Sequence, residues 1–322
     1  MRYFGIIHNT DKEESGEAAN SLRSYLTGRG AGAWISGDGK DLPECCECAV
    51  VLGGDGTLLR AAKVVLDRQL PLLGVNLGNL GYLAEIDKNG ISAAADRLLS
   101  DDFQIERRMM LWGRILRAGM RTAGNLNTDN PDADNPDADI PSTDNPDADI
   151  PSTDNPDAGI PSTDNPDADN PDFALNEIVL NRLGPLRSFC LKNYVNGELL
   201  NTYNADGIIL STATGSTGYS LSVGGPIVSP GAELILMTPL AAHSLISRSI
   251  IFSGSDRIRV EIGEGRTGYV KRAVSIRFDG GGGQTLGTGD AVEVVRSPKY
   301  TNIIKLNNIS FLEVLRRKMS DV

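Results

Sequence analysis

The sequence predicts an α/β plus all-β fold, with an N-terminal doubly wound α/β domain followed by a C-terminal β-rich domain. The prediction rests on three observations. Strand and helix patterns alternate over residues 1–103, short β-rich runs follow from residue 104, and a repeat rich in aspartate and proline interrupts the second part. Alternating strands and helices are typical of a parallel sheet covered by helices, whereas successive short strands indicate a sandwich or barrel.

The N-terminal part begins with an apolar run that we interpret as a strand. Acidic residues follow it closely and no small-residue cleavage site is present, so we do not expect a signal peptide. Hydrophobic periodicity predicts the strands Tyr3–His8, Ala33–Ser36, Ala49–Leu52 and Leu72–Val75, and the helices Glu13–Tyr25, Thr57–Leu66 and Ile91–Leu99. We assign residues 1–103 to the α/β domain.

Helix patterns nearly vanish from Gln104 onward. The predicted strands include Met110–Leu116, Leu175–Asn181, Phe189–Asn196, Gly207–Ser211, Ser249–Phe252, Arg257–Ile262, Ala273–Phe278 and Ala291–Arg296. We assign residues 104–296 to the β-rich domain. The last run, Ile309–Lys318, has helical spacing, and we expect residues 297–322 to return to the N-terminal domain and pack this helix on it.

A decapeptide repeat, Asp-Asn-Pro-Asp-Ala-Asp-Ile-Pro-Ser-Thr, occupies residues 128–172. Nine of the 16 prolines lie here, which blocks helix formation, and single isoleucines are the only aliphatic side chains larger than alanine. We predict a disordered acidic insert at a hairpin tip, where a longer loop adds little free energy. Calcium binding is an alternative, although the glycines of such repeats are absent apart from Gly159.

The insert also dominates the net charge of −11. It contains 14 of the 42 acidic residues and no basic residue, which leaves 28 acidic against 31 basic residues elsewhere. A mildly basic remainder suits an anionic small substrate and does not indicate a nucleic-acid surface. The sequence has no apolar run of membrane-spanning length, so we expect a cytoplasmic protein without a membrane partner.

Three of the four cysteines, Cys45, Cys46 and Cys48, stand together before a predicted buried strand. Cys45 and Cys48 have the C-x-x-C spacing of zinc and redox sites, but the sequence lacks a second cysteine pair or a histidine pair. Reduced structural thiols are the alternative, and they fit a reducing compartment.

The first chemical motif is Gly53-Gly54-Asp55-Gly56-Thr57, between an apolar strand and a helical run. Such a turn brings backbone N–H groups and the positive end of a helix to a phosphate. A carboxylate would repel that anion, so Asp55 indicates another task, either accepting a proton from an attacking hydroxyl or helping to hold Mg²⁺. An ordinary capped turn is the alternative, and a P-loop motif is absent.

Two further segments carry polar side chains in apolar surroundings. A loop rich in hydroxyls and glycines, residues 211–226, follows the apolar strand 208–210 and offers small donors and room for a flat base, with Tyr219 to line it. Asn176 and Glu177 lie inside a predicted apolar strand. They indicate either recognition of ligand hydroxyls or a satisfied strand end, and the loop could equally be a plain connection.

Taken in order, these motifs resemble those of the NAD kinase family, most closely its bacterial members. The residues that carry the resemblance are Gly53–Thr57, the run Gly74-Val75-Asn76-Leu77-Gly78-Asn79-Leu80-Gly81-Tyr82-Leu83, then Ala174-Leu175-Asn176-Glu177, Ala205-Asp206-Gly207, Ser211–Tyr219 and His243-Ser244-Leu245. Diacylglycerol and sphingosine kinases share a similar glycine turn, but the second run and the Ser211–Tyr219 loop favour NAD.

The resemblance implies an enzyme that transfers the γ-phosphate of ATP to the 2′-hydroxyl of the adenosine ribose of NAD, forming NADP. It implies that Asp55 assists the attack and that Gly53, Gly54, Gly56, Thr57 and Arg60 lie by the ATP phosphates. It also implies NAD contacts for Asn176, Glu177, Asp206, Thr214, Thr217, Gly218, Tyr219 and Ser222. Mg²⁺ or another divalent metal and a homodimer or homotetramer are implied as well, with no protein ligand to the metal assigned.

Some residues depart from the family pattern. The acidic insert is foreign to it, and the proline usual before His243 is missing, which favours a structural histidine there. Phe278-Asp279-Gly280 match a late strand and turn of the family, but Gly281-Gly282-Gly283 follow, and we expect this extra glycine run to loosen the pocket edge near Asp279. A lipid kinase with the same glycine turn and a non-catalytic NAD(P)-binding sensor are the alternative functions.

Overall fold

A computed structural model describes residues 1–78, 81–118, 169–183, 189–242, 248–264, 274–306 and 310–320. Its N-terminal part alternates strands and helices, as predicted. The strands are β1 (Tyr3–His8), β2 (Gly32–Ser36), β3 (Cys48–Gly53), β4 (Leu72–Asn76) and the short β5 (Ile86–Asp87), and the helices are α1 (Glu13–Thr27), α2 (Asp55–Val64) and α3 (Ile91–Leu99).

The four longer strands of this part run parallel in the order β4-β3-β1-β2. Apolar residues of α1 and α3, such as Leu22 and Leu98, join one buried cluster with β1, β3 and β4. Leu58 and Ala61 of α2 join another cluster with Val51. Since helices cover both faces of a parallel sheet, the predicted doubly wound domain is confirmed.

The second part is β-rich, as predicted. Its strands are β6 (Gln104–Leu116), β7 (Asp169–Ala174), β8 (Glu177–Arg182), β9 (Phe189–Val195), β10 (Glu198–Ala205), β11 (Gly207–Thr212), β12 (Leu234–Leu240), β13 (Ile250–Ser253), β14 (Ile258–Gly263), β15 (Val274–Phe278), β16 (Gln284–Leu286) and β17 (Ala291–Lys305). A short helix α4 (Tyr219–Ser222) follows β11, and α5 (Phe311–Ser320) follows β17.

Two sheets enclose the core of this part. One has the order β13-β12-β11-β8-β15-β16, and the other contains β10-β9-β14-β17 with β6 and β7 paired beside β17. Inward-facing side chains of both sheets, including Ile178, Leu210, Leu191 and Val260, form a single buried cluster. The site residues on β8 and β11 therefore stand on a rigid support.

Strand β17 joins the two parts. It pairs antiparallel with β6 and β14, and its end pairs parallel with β4 through Ile303 and Leu72. It extends beyond the predicted end at Arg296 because a register shift between Arg296 and Tyr300 accommodates Pro298 as a bulge. The larger sheet is thus continuous from the α/β part into the β-rich part.

Two predictions about the insert region need correction. Residues 169–172, which we placed in the disordered insert, form the first part of β7 and pair with β6. Pro171 is tolerated because β7 pairs only with β6 among the described strands and its register shifts there. In addition, Leu175 and Asn176 form a break between β7 and β8 and do not continue one strand. The rest of the repeat lies outside the described residues.

Helix α5 contacts the N-terminal part, as predicted, through Lys318, whose Nζ lies 5.1 Å from the centre of the Tyr82 ring. None of its residues is buried. Across the described ranges, we find no helix with the length and apolar character needed to cross a membrane.

Candidate functional site

The glycine turn connects β3 to α2 and presents the start of that helix. Gly53 ends β3 and is buried under the side chain of Thr57, while the Thr57 N–H donates to the Gly54 carbonyl at 3.0 Å. Gly54 and Gly56 are exposed. Because the first N–H groups of a helix have no acceptor within it, this turn offers donors to an anion. Arg60 Nη2 lies 3.4 Å from the Thr57 hydroxyl, so the structure brings Arg60 to the turn.

Asp55 is half-buried at the first position of α2, and its carboxylate points to the loop that follows β4. It accepts hydrogen bonds from the N–H groups of Tyr82 at 2.9 Å and Leu83 at 3.2 Å. Gly81 allows this approach, since a β-carbon there would stand 2.0 Å from Asp55 Oδ1. Two donors do not fill the four acceptor positions of a carboxylate, so Asp55 can accept another hydrogen bond.

The Asn176–Glu177 segment is a bend whose backbone is held by Asp279, a residue that we placed at the pocket edge but to which we assigned no role. The carboxylate of Asp279, just after β15, accepts hydrogen bonds from the N–H groups of Leu175 at 2.7 Å, Asn176 at 2.8 Å and Glu177 at 3.1 Å. The Asp279 N–H donates in return to the Glu177 carbonyl at 3.0 Å. Asp279 has a φ of 49°, a left-handed conformation that Asp tolerates better than most residues.

Burial perturbs both carboxyl groups of this bend. Glu177 is 9 % exposed, and burial, followed by the nearby Asp279 charge, raises its pKa to about 7, against the opposing hydrogen bond from the Tyr219 N–H. Burial also raises the pKa of Asp279, opposed by its three backbone donors and the Lys63 charge. Glu177 Oε2 and Asn176 Oδ1 are buried without a hydrogen-bond partner among the described residues. Such atoms are suited to meet a ligand.

The loop after β11 packs directly on this bend. The Thr212 hydroxyl donates to the Leu175 carbonyl at 2.6 Å and accepts from the Gly215 N–H at 3.0 Å. Gly215 lies so close that a β-carbon would stand 2.1 Å from the Asn176 carbonyl oxygen. Gly218 similarly lies against the Glu177 carboxylate. Five of the predicted residues, Asn176, Glu177, Thr214, Gly218 and Tyr219, therefore belong to one bend and the loop on it, with Thr217 hydrogen-bonded to the Thr214 carbonyl.

A cavity of about 80 Å³ lies between this loop and the segment that holds Asp55. Its lining brings residues of both parts of the chain together, namely Tyr82, Leu83, Glu106, Arg108, Ala213, Thr214, Thr217, Pro230, Lys305, Phe311 and Val314. Arg108, which is buried, donates to Glu106 at 3.1 Å and lies 3.4 Å from the Thr214 hydroxyl. The sequence analysis did not single out Arg108, because a strand pattern does not show which polar groups its side chain contacts.

One predicted residue, Asp206, lies apart from this group. Asp206 precedes β11 at the end opposite Glu177, because Gly207 pairs with Asn181 whereas Ser211 pairs with Glu177. Asp206 is five residues from Ser211, which is on the order of 17 Å along the strand, and it forms an ion pair with Arg182 at 3.3 Å. Within one chain the structure does not bring Asp206 to the bend. Ser222 ends α4 and is exposed.

Two of the three clustered cysteines are buried, and Cys45 is exposed. Cys48 is fully buried and burial raises its pKa, and burial also raises the pKa of Cys46. A raised pKa disfavours the thiolate that metals and disulfide exchange require. The structural interpretation of these thiols is thus favoured. His243, Ser244 and Leu245, like Asn79 and Leu80, lie outside the described residues.

Comparison with known families places both parts of the chain. Residues 33–103 match the model described as the ATP-NAD kinase N-terminal domain, and residues 175–306 match the ATP-NAD kinase C-terminal domain. The NAD kinase of Lachnospira eligens is 35 % identical, with 99 % of this chain and 100 % of that protein covered. The NAD kinase of Agathobacter rectalis is 37 % identical, with 100 % and 99 % covered.

Solved structures agree on the fold. The yeast NADH kinase complexed with NADH has a TM-score of 0.78 at 22 % identity, covering 99 % of this chain and 88 % of that chain. An NAD kinase from Archaeoglobus fulgidus in complex with ATP has a TM-score of 0.68 at 19 % identity, with full coverage of both chains. Together with the relatives that match end to end, these findings show that the chain belongs to the NAD kinase family.

Proposed function

We propose that this protein transfers the γ-phosphate of ATP to the 2′-hydroxyl of the adenosine ribose of NAD, giving NADP. One observation supports this beyond family membership. Tyr82 and Leu83, whose N–H groups hold the Asp55 carboxylate, also line the cavity that Thr214 and Thr217 border. A carboxylate with free acceptor capacity and a polar pocket thus lie next to the start of α2.

On the donor side, the turn from Gly53 to Thr57 supplies backbone N–H groups, and Arg60 supplies a positive charge beside Thr57. In phosphoryl transfer the protein performs little covalent chemistry itself, so positioning of the substrates and stabilisation of charge contribute most of the catalysis. Asp55 would accept the proton of the attacking hydroxyl or orient it, and the Tyr82 and Leu83 donors would keep its carboxylate directed.

On the acceptor side, Asn176 and Glu177 would receive ribose hydroxyls, since both carry buried oxygens that lack a partner among the described residues. Hydroxyl donors are what such acceptors need. Gly218, Tyr219, Thr214, Thr217 and Ser222 would line the dinucleotide pocket. Tyr219 is 45 % exposed and has a face available for a base.

A divalent metal such as Mg²⁺ would neutralise the triphosphate when it is bound. In the part of the chain that the structure describes, no group of three or more His, Cys, Asp or Glu side chains is arranged to hold a metal. The described residues therefore fit a metal that arrives with ATP, and Asp55 would be the carboxylate that the glycine turn offers to it. Mg²⁺ prefers such arrangements, with few protein carboxylates and the phosphates of a substrate.

The oligomeric state and location complete the proposal. We propose a cytoplasmic homodimer or homotetramer, without nucleic-acid or membrane partners. The position of Asp206 supports an oligomer, because a second subunit could bring this carboxylate to the nicotinamide end of a dinucleotide, whereas its own chain holds it at the far end of the β8–β11 ladder.

The test is a coupled assay in which purified protein, Mg-ATP and NAD are incubated and NADP is detected with an NADP-specific dehydrogenase. We expect NADP from the wild type and a kcat lower by about 10²–10⁴-fold in Asp55→Asn, the usual range for a positioned acid or base. An Asp55→Asn variant within about threefold of the wild type would remove Asp55 from the mechanism. ADP release only with diacylglycerol vesicles would favour the lipid kinase, and NADP binding without turnover the sensor.

A further inference from the structure

Lys63 links the helix that begins with the glycine turn to the β-rich part. It lies in the last turn of α2, about 12 Å along the helix from Asp55. Its Nζ lies 2.9 Å from Asp172 Oδ2 and 3.3 Å from the Phe278 carbonyl oxygen, and 5.6 Å from the centre of the Phe278 ring. Its side chain is 23 % exposed, so these contacts are partly shielded from water.

The residue after Phe278 is Asp279, whose carboxylate holds the backbone of the Asn176–Glu177 bend. Lys63 therefore attaches α2 to the same corner that shapes the acceptor side of the site. Asp172 forms an ion pair with Lys63 from strand β7. This strand leads into the bend, and Asp172 pairs there with Gly113 of β6. Three contacts from one ammonium group thus connect α2, β7 and β15.

We propose that Lys63 is a positioning residue for phosphoryl transfer, which sets the start of α2 against the Asn176–Glu177 bend through Asp172 and the Phe278–Asp279 turn. The inference rests on the proposed function, because that function assigns the phosphate donor to the start of α2 and the acceptor to the Asn176–Glu177 bend. Small errors in such a distance are costly, since a misplacement of 1 Å can reduce a rate by about 10²-fold.

The charges around Asp279 give the proposal a second consequence. The groups that face its carboxylate are the backbone donors of residues 175–177, the positive Lys63 and the negative Glu177. Lys63 favours the ionised form of Asp279 against the effect of burial, and the ionised form accepts all three N–H groups. Removing the Lys63 charge should raise the pKa of Asp279 further, so the bend should loosen at a higher pH than in the wild type.

The experiment compares the full-length wild type with Lys63→Met, Lys63→Arg and Asp172→Asn. Lys40→Met is the matched control, because Lys40 is exposed and pairs at 3.7 Å with Asp38 within its own turn. For each protein we would measure kcat and the KM for NAD from pH 6 to 9. Hydrogen–deuterium exchange of peptides covering residues 174–178 would report on the bend without any requirement for turnover.

For Lys63→Met we expect a kcat lower by about 10- to 100-fold with a KM for NAD within about threefold. The acidic limb of its kcat profile should move to higher pH, and exchange at residues 174–178 should become faster. Lys63→Arg should restore most of both properties, and Asp172→Asn should show a smaller loss, because the contact with the Phe278 carbonyl remains.

Unchanged exchange at residues 174–178 in Lys63→Met would overturn the inference whether or not the wild type makes NADP. An unchanged kcat in that variant, with an active wild type, would overturn it as well. A wild type that forms no NADP would instead contradict the proposed function and with it the catalytic part of the inference, while the exchange measurement would still decide whether Lys63 orders the bend.

Discussion

The glycine turn and the Asn176–Glu177 bend each set a carboxylate against backbone N–H groups, but they are assembled differently. Asp55 stands within a contiguous motif and reaches 27 residues along the chain to the Tyr82 N–H. Asp279 stands in a short strand-and-turn match that we placed at the pocket edge without a role of its own, and it reaches back 103 residues to the Asn176 N–H. Both residues are half-buried, but Asp55 keeps acceptor positions free for a ligand, whereas Asp279 accepts from three backbone N–H groups and holds the backbone.

This difference separates a carboxylate that can take part in the reaction from one that holds the site's backbone in place. A carboxylate with two donors and remaining acceptor capacity can take part in a reaction. One that receives three donors in a buried corner is more useful as an anchor, because its loss would leave several buried N–H groups without an acceptor. The predictions below are ordered by the size of the effect that should separate the two roles.

The largest effect should come from Gly81→Ala, which displaces the Asp55 carboxylate without changing Asp55 itself. The added methyl group would overlap Asp55 Oδ1 at 2.0 Å, so the carboxylate or the 81–83 loop must move. We expect kcat to fall by about 100-fold, the cost of a misplaced catalytic group, while the folded state persists. The coupled assay and a thermal melt measure the two properties.

Gly78→Ala is the control, because an added β-carbon there meets no atom of the described residues within 4 Å. Equal activities of the two variants would show that the position of the Asp55 carboxylate does not matter for turnover. A fall in melting temperature that accounts for the lost activity of Gly81→Ala would assign Asp55 to structure instead.

The sequence already predicted most of the elements on which these two sites stand. The four longer N-terminal strands and helices α1 to α3 were predicted to within about two residues, because each has a clear hydrophobic period and a glycine or polar boundary, whereas the two-residue strand β5 was not predicted. Strand β10 was not predicted, since its residues Glu198, Asn201 and Asn204 obscure the alternation. Strand β12 was not predicted either, although Leu234–Met237 form a short apolar run, because Pro239 follows within it.

The site was predictable only as far as its motifs are contiguous. Asn176 and Glu177 stood out because polar residues interrupt an apolar run, and the 211–219 loop stood out by composition. The partnership of Asp279 with the 175–177 backbone and the role of Lys63 depend on strands β8 and β15 being neighbours, which no local pattern encodes. The signal available was Asp279-Gly280, a pair suited to left-handed turn conformations, and both residues do have a positive φ.

The next effect concerns the anchor. Asp279→Asn can keep the left-handed backbone, but it exchanges a charged acceptor of three N–H groups for a neutral amide with one oxygen. We expect the free energy of unfolding to fall by about 1–3 kcal/mol at pH 6, because one amide oxygen cannot serve all three N–H groups and at least one of them loses its acceptor. Urea denaturation measures it, with Asp256→Asn as the control, because the half-buried Asp256 accepts from a single backbone N–H group, that of Ser253. A loss below about 0.5 kcal/mol would contradict the anchoring role.

A smaller, pH-dependent effect is expected for Glu177→Gln. The pKa of Glu177 in the folded protein, about 7, lies above its ordinary value of 4.5, so folding favours the protonated acid. The stability from this group is fully present below the ordinary pKa and is lost as pH rises through 7. Glutamine, which stays neutral, should therefore match the wild type near pH 5 and exceed its free energy of unfolding by on the order of 1–3 kcal/mol at pH 8.

Urea denaturation of both proteins at pH 5 and pH 8 tests this prediction. A difference that is the same at the two pH values would mean that the change acts through packing or hydrogen bonding and not through the charge. A variant that is less stable only at pH 8 would show that the ionised Glu177 is stabilised in the folded protein, contrary to the raised pKa.

The smallest effect should follow removal of the repeat. Comparing two deletions also tests at which residue the insert ends. Strands β6 and β7 are antiparallel neighbours, and Ile115 pairs with Asp169, so a short turn can join them. Deleting residues 128–168 should leave kcat and the melting temperature within about twofold and a few degrees of the wild type, since loop length contributes little free energy. Deleting residues 128–172 should cost more, because it removes part of β7 and the Asp172 partner of Lys63. If the two deletions behave alike, Asp172 and its strand contribute nothing beyond the repeat, and the link from α2 to the bend must depend on the Phe278 carbonyl alone.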